Sequence, residues 1–149
     1  AGTIVSLAAD EIVMSPHAVL GPIDAQVPVV IMSMFVLYVP TRAILSVVDA
    51  KPKSRIGDDL LEAAIDCKRD IGEHHRNAME LMAGTYSSSV ANKIAHRLND
   101  GDLTHGYPLT LSSARHLGLK VSGAMPPEAI DIVRAFRRSD FGQRSVLFC

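Results

Sequence analysis

The first residues of the chain are the clearest candidates for chemistry, because they could form an oxyanion site. Ala1 to Ala9 consists mostly of small and apolar residues, which predicts a helix buried on most of its surface. The N-terminus of such a helix presents free backbone N–H groups and the positive end of the helix dipole, which suit a developing oxyanion. A tightly packed helix start without chemistry fits the same residues, so the pattern alone leaves both interpretations open.

The histidines and cysteines are the next candidates, as metal ligands. Cys67, His74 and His75 lie in one predicted helix, and His96 lies in the next. No two histidines have the four-residue spacing that puts two ligands on one helical face. We therefore predict no metal site and no cofactor, and we interpret the histidines as part of a solvated polar surface.

His105 is a third candidate, since a serine–histidine pair is a common hydrolase arrangement. It lies between two turn sequences, Gly101-Asp102 and Gly106-Tyr107-Pro108, and the helix that follows is capped by Thr110 and closed by Gly118. This setting favours a structural role for His105. Ser6 is likewise interpreted as an internal contact of the first helix rather than as a nucleophile.

Short strands and turns must position these residues. Glu11 to Met14 contains the β-branched pair Ile-Val, and Val19-Leu20 is closed by Gly21-Pro22, so strands and turns alternate here. An apolar run of 13 residues, Val27 to Val39, follows and is too short to span a bilayer as a helix. We expect this run to be a buried strand or an oligomer contact, with the wall of a substrate groove as the alternative.

From Thr41 onward the sequence is helical in pattern. A long helix is expected to end at Gly84, a second to begin at the Ser87–Ser89 cap, and a last one to open at Pro126-Pro127-Glu128. Apolar residues recur at three- or four-residue spacing in each of them: Ile56, Leu60, Ala64, Cys67 and Ile71 in the first, Val90, Ile94 and Leu98 in the second, Ile130, Val133 and Phe136 in the last. These faces are expected to be buried.

Composition limits the classes of function. The chain has 149 residues, with 48% hydrophobic and 21% charged residues, which is ordinary for one globular domain. Its net charge of −1 and the lack of aromatic residues among the basic ones argue against a nucleic-acid partner. Two cysteines make no disulfide framework and fit a reducing compartment.

Several blocks of sequence carry a family resemblance. They are Ala1-Gly2-Thr3 with Leu7 to Met14 (LAADEIVM), Leu20 to Asp24 (LGPID), Ala50-Lys51-Pro52, Leu103 to Thr110 (LTHGYPLT) and Ala114 to Leu119 (ARHLGL). In this order they resemble the serine dehydrogenase proteinase family, relatives of signal peptide peptidase A within the ClpP/crotonase fold. The resemblance covers most of residues 1 to 130. It implies an α/β fold of the ClpP/crotonase type, with residues 1–149 as a single partial domain.

The resemblance also implies site residues. Family members carry a nucleophilic serine immediately before the position of Ala1, so this chain lacks the nucleophile and is expected to be inactive alone. By the same resemblance Lys51 is the general base, with Lys53 as the neighbouring candidate, and the backbone N–H groups of Ala1 and Gly2 hold the oxyanion. The family loop between Asp24 and Pro40 is shorter than the one here, so the spacing from nucleophile to base departs from the family pattern.

The activity implied for the whole protein is ATP-independent hydrolysis of peptide bonds by a Ser-Lys dyad. The expected partners are a peptide or protein substrate and further copies of the chain in a homo-oligomer, with cytoplasmic or membrane-associated location in a prokaryote and any membrane attachment through the preceding segment. Two alternatives stay open. One is a crotonase-like acyl-CoA enzyme, and the other is a non-catalytic oligomeric scaffold that assembles through Val27 to Val39.

Overall fold

A computed structural model describes residues 2–31, 34–99 and 103–138 of the chain. The described residues form both helices and short strands, so the protein is of the mixed α/β type. The helices are α1 (Gly2–Leu7), α2 (Thr41–Ala50), α3 (Asp58–Met82), α4 (Ser88–Asn99), α5 (Leu111–Leu117) and α6 (Pro127–Arg138). The strands are β1 (Ile12–Val13), β2 (Val19–Leu20), β3 (Gln26–Ile31), β4 (Phe35–Pro40), β5 (Leu109–Thr110) and β6 (Val121–Ser122).

The described strands pair two by two. β1 runs parallel to β6, with Ile12 opposite Val121, and β2 runs antiparallel to β5, with Leu20 opposite Leu109. Both pairs join the first quarter of the chain to the segments around α5. The third pair is local, because β3 and β4 form an antiparallel hairpin.

One hydrophobic core holds these parts together. It is built from α1, the strands beside it, the C-terminal half of α3, α4 and α5, and its largest fully buried apolar side chains include Leu7, Met82, Ile94 and Leu98. The N-terminal half of α3 instead packs against α2, where Cys67 is buried. Burial raises the pKa of the Cys67 thiol, and Asp70 and Asp66 raise it further, so this cysteine is a packing residue rather than a nucleophile.

The ends of α5 agree with the sequence prediction. The Thr110 hydroxyl caps the helix by accepting a hydrogen bond from the backbone N–H of Ser113 at 3.3 Å. Gly118 closes the helix in the left-handed conformation, with φ of 106°. The predicted starts of α4 and α6 and the end of α3 are confirmed to within two residues.

Three expectations about burial are wrong. α1 buries only one face, through Thr3 and Leu7, while Val5 is 73% exposed, because the helix lies at the edge of the core. In α6, Ile130 and Val133 are exposed, since no other described element covers that face; the side chain of Phe136 lies outside the described residues.

The third is the buried strand expected for Val27 to Val39; the oligomer contact and the groove wall stay predictions for this run. It is not one buried strand but both arms of the β3–β4 hairpin, and the side chains from Met34 to Tyr38 are 51–78% exposed. The two arms pair with each other, and the apolar side chains from Phe35 to Tyr38 of β4 are left uncovered by the described part of the chain. No helix among the described residues is long and apolar enough to cross a membrane.

Candidate active site

The first turn of α1 is fixed to the segment after β2 by one side chain. The buried Thr3 hydroxyl donates a hydrogen bond to the Gly21 carbonyl at 2.8 Å and accepts one from the Gly21 N–H at 3.1 Å. Gly2, the first described residue of the helix, is exposed, and Ala1 lies outside the described residues. The start of α1 therefore lies directly beside the Gly21–Asp24 segment.

That segment leads to a pair of titratable side chains. Asp24 Oδ1 lies 2.7 Å from His105 Nδ1; the Asp24 side chain is 8% exposed and the His105 side chain is 64% exposed. The segment is held on its other side by the Ile23 N–H, which donates to the Leu98 carbonyl at the end of α4 at 2.9 Å. A nearly buried carboxylate thus orients a solvent-facing imidazole.

The pairing of β2 with β5 explains why two residues so far apart in sequence meet. Leu20 lies opposite Leu109, and the strands are antiparallel. Asp24 is four residues after Leu20, and His105 is four residues before Leu109, so the two lie at the same level beyond the end of the ladder. The pair was not predicted from the sequence, because strands of two residues carry almost no pattern that reveals their partner.

A cavity of about 320 Å³ lies beside the pair. The N-terminal turns of α2 line it, through Thr41 and Ser46 among others, together with Asn99 and Thr104. The buried Asn99 amide donates to the Ile71 carbonyl at 2.7 Å, and its Oδ1 accepts no hydrogen bond from the described part of the chain. Several polar side chains, His105 among them, therefore line the cavity.

The two lysines lie elsewhere. Lys51 is exposed and directly follows α2, where its backbone N–H donates to the Val48 carbonyl at 3.3 Å; Lys53 is exposed in the single 3₁₀ turn Lys53–Arg55. Neither is among the residues that line the cavity. Lys51 follows Ser46, the last α2 residue that lines the cavity, by five residues, and a helix rise of 1.5 Å per residue places its backbone about 8 Å along α2 from Ser46.

A larger cavity of about 720 Å³ lies between α4 and α5. Its polar side chains include Lys93, His116, Ser112 and Ser113, and its apolar floor includes the buried Leu109. None of the residues predicted for the site lines this cavity. No group of three or more potential metal ligands occurs within the described ranges.

Comparison with known proteins gives this geometry a context. The sequence profile of ClpP-like SDH-type serine proteinases matches residues 1–149. The chain is similar to two uncharacterized proteins of Methanocaldococcus jannaschii, at 30% identity over 137 residues and 29% identity over 147 residues. These alignments cover 92% and 99% of the chain but 45% and 47% of the relatives, so the chain spans less than half of their length. No solved structure matches the chain.

Proposed function

Because the chain belongs to the family of ClpP-like SDH-type serine proteinases, we propose that the protein of which it forms part hydrolyses peptide bonds through a serine nucleophile. The nucleophile of this proposal is a serine immediately before Ala1. We propose that the protein has a fold of the ClpP/crotonase type, of which this chain forms one partial domain. The observation that carries the proposal is the fixed position of the α1 start, where Thr3 is bonded twice to Gly21.

The proposed reaction passes through an acyl-enzyme. The serine hydroxyl attacks the scissile carbonyl carbon, and the backbone N–H groups of Ala1 and Gly2 donate hydrogen bonds to the oxyanion. This role is supported by the exposure of Gly2 at the described start of α1. ATP has no part in these steps, and residues 1–149 alone are expected to be inactive.

The resemblance gives Lys51 as the candidate for the proton acceptor. A lysine acts as a base at neutral pH only when its surroundings favour the uncharged amine, usually through burial. Lys51 is exposed in this single chain. Its role would therefore require that a second copy of the chain, the substrate or the preceding segment cover it in the assembled site.

The substrate and the assembly are also part of the proposal. A peptide or protein substrate and a homo-oligomer are supported by membership of a ClpP-like proteinase family. The exposed apolar side chains of the β3–β4 hairpin support self-association, because an apolar patch of this kind usually marks a contact surface.

The proposal is tested by labelling the complete protein, including the residues before Ala1, with a fluorophosphonate serine probe and mapping the labelled peptide. We expect one labelled serine immediately before Ala1. Lys51→Ala tests whether Lys51 is the general base. Lys53→Ala is its matched control, because both side chains are exposed and lie within the same short segment. If Lys51 is the base, only Lys51→Ala abolishes turnover, and it leaves the fold intact.

Other results would reject the proposal or parts of it. A protein that assembles but carries no labelled serine would point instead to the crotonase-like acyl-CoA enzyme or the scaffold. Binding of acyl-CoA separates these two. Peptidase activity from residues 1–149 alone would place the nucleophile within this chain, and wild-type activity of Lys51→Ala would exclude Lys51.

A further inference from the structure

The large cavity between α4 and α5 has a cationic rim. Lys93, His96 and Arg97 of α4 and His116 of α5 are exposed side chains that line it, and no aspartate or glutamate is among the described residues that do so. The whole chain carries a net charge of −1, so this one-sided set of side chains is a local feature rather than the average of the surface. Such a rim attracts an anionic ligand.

The floor of the same cavity is apolar. Leu103, Leu109 and Leu117 line it and are only 4–8% exposed, and Tyr107 lines it as well. The volume of about 720 Å³ lies within the range of sites that hold small organic ligands. A small inorganic anion would leave the apolar floor uncovered. Rim and floor together therefore favour a ligand in which an apolar group carries the anion.

Lys93 is the rim residue that the fold itself does not use. His96 and Arg97 lie in the last turn of α4 and His116 lies in that of α5, where the helix dipole favours cations. Lys93 lies one turn before Arg97, and its ammonium group has no hydrogen bond or ion pair with the described part of the chain. The carboxylate of a ligand would supply that partner.

The cavity adjoins the smaller one beside Asp24 and His105. Leu103 lines both cavities, and His105 follows it by two residues. Hydrolysis of a peptide bond leaves a carboxylate on one product, and a peptide substrate itself ends in another. The proposed function therefore supplies a ligand of the class that the rim and the floor favour.

We infer that this cavity binds the terminal carboxylate of a peptide whose last side chain is apolar. Lys93 on one side and the Ser112 hydroxyl and His116 on the other donate to the carboxylate, and the apolar side chain covers the leucines of the floor. His116 Nδ1 already donates to the Ser112 carbonyl at 2.8 Å, so the charged ring donates to the ligand through Nε2. The choice of a peptide rests on the proposed function, whereas the binding itself requires no hydrolysis.

Fluorescence polarisation of dye-labelled peptides measures this binding on the complete protein. The dye is attached to the amino end of the peptide Ala-Ala-Leu, once with a free C-terminal carboxylate and once with a C-terminal amide. Prior treatment with the fluorophosphonate probe blocks a serine peptidase, so the peptides stay intact. We expect the carboxylate peptide to bind about tenfold more tightly than the amide, because its hydrogen bonds are charge-assisted. Added salt should reduce this preference.

Lys93→Gln removes the charge and keeps most of the length of the side chain. It should weaken binding of the carboxylate peptide by about three- to fivefold, the upper range for an exposed ion pair, and leave the amide peptide within about twofold. Lys68→Gln is the matched control, because Lys68 is also an exposed lysine within a helix but does not line the cavity. It should change the binding of neither peptide.

A second carboxylate peptide tests the apolar floor. Ala-Ala-Asn keeps the carboxylate and replaces the last side chain by a polar one of similar size. We expect it to bind about tenfold more weakly than Ala-Ala-Leu, because its last side chain gains little from burial against leucines.

The outcomes separate this inference from the proposed function. Equal binding of the carboxylate and the amide, equal effects of Lys93→Gln and Lys68→Gln, or equal binding of the peptides that end in Leu and Asn would overturn the inference and leave a labelled serine in place. Inorganic phosphate that binds as tightly as the carboxylate peptide would make the cavity a site for simple anions and overturn it too. A protein without a labelled serine that still prefers the carboxylate peptide would reject the serine peptidase and keep the inference.

Discussion

At the scale of single residues, Thr3 fixes the first turn of α1 to Gly21. Its hydroxyl is buried and serves as both donor and acceptor to the same backbone unit. Thr3→Val keeps the shape of the side chain but leaves the Gly21 N–H and carbonyl without this partner. We expect a loss of about 1–3 kcal/mol in the free energy of unfolding, measured by urea denaturation.

Ser6→Ala is the control for Thr3→Val. Ser6 lies in the same helix, but its hydroxyl only donates to the Gly2 carbonyl, one turn back, at an exposed site. This change should alter the free energy of unfolding by no more than about 0.5 kcal/mol. Equal effects of the two variants would mean that the bonds between Thr3 and Gly21 do not hold α1 in place.

The single residues also show where sequence reasoning is strong and where it is weak. Thr110 and Gly118 were predicted as the caps of α5 because capping depends on residues a few positions apart. The contact of His105 with Asp24 was missed because it joins positions 81 residues apart. Its geometry depends on a two-residue strand pairing that local pattern does not reveal.

At the scale of elements, the closing turn of α5 gives a direct test of backbone strain. Gly118 has φ of 106°, and a Cβ there would lie 3.5 Å from Val90 Cγ1, an ordinary contact. Any cost of Gly118→Ala therefore comes from the backbone conformation. We expect a loss of about 1–2 kcal/mol in the free energy of unfolding, because L-residues other than glycine are strained in the left-handed region.

Gly84→Ala is the matched control, because Gly84 also follows a helix. A Cβ at Gly84 would meet no atom within 4 Å, and its φ is not in the left-handed region. This change should leave stability unchanged or raise it by up to about 1 kcal/mol, since alanine restricts the unfolded chain. If Gly118→Ala lowers the free energy of unfolding no more than Gly84→Ala does, the α5 turn accommodates alanine without strain.

The sequence predicts where the helices lie, but it does not predict which of their surfaces are buried. The periodicity of α3 and α4 agrees with the buried Ala64, Cys67, Ile94 and Leu98. In α6 a similar spacing gives an exposed face at Ile130 and Val133. Periodicity shows which side of a helix is apolar, whereas burial depends on whether another surface packs against that side.

At the scale of the whole molecule, the β3–β4 hairpin extends apolar side chains into solvent. β4 contacts α2, which follows it directly in the chain, and Val47, Leu61 and Ile65 of α2 and α3 are exposed apolar side chains as well. Uncovered apolar area on this scale is unfavourable for a monomer. The proposed homo-oligomer predicts that a second copy of the chain covers this surface.

Leu37→Lys tests whether this surface holds copies together. The change puts a charge in the middle of β4, where burial between two copies would be costly, while the exposed position tolerates it in a single chain. We expect light scattering to show an oligomer for the wild-type protein and a smaller species for the variant. Asn77→Lys is the control, because it adds the same charge at an exposed polar position of α3 and should leave the mass unchanged. If the wild-type mass equals that of one chain, or if Leu37→Lys assembles like Asn77→Lys, the hairpin does not join copies, and its apolar surface must instead contact substrate or another part of the protein.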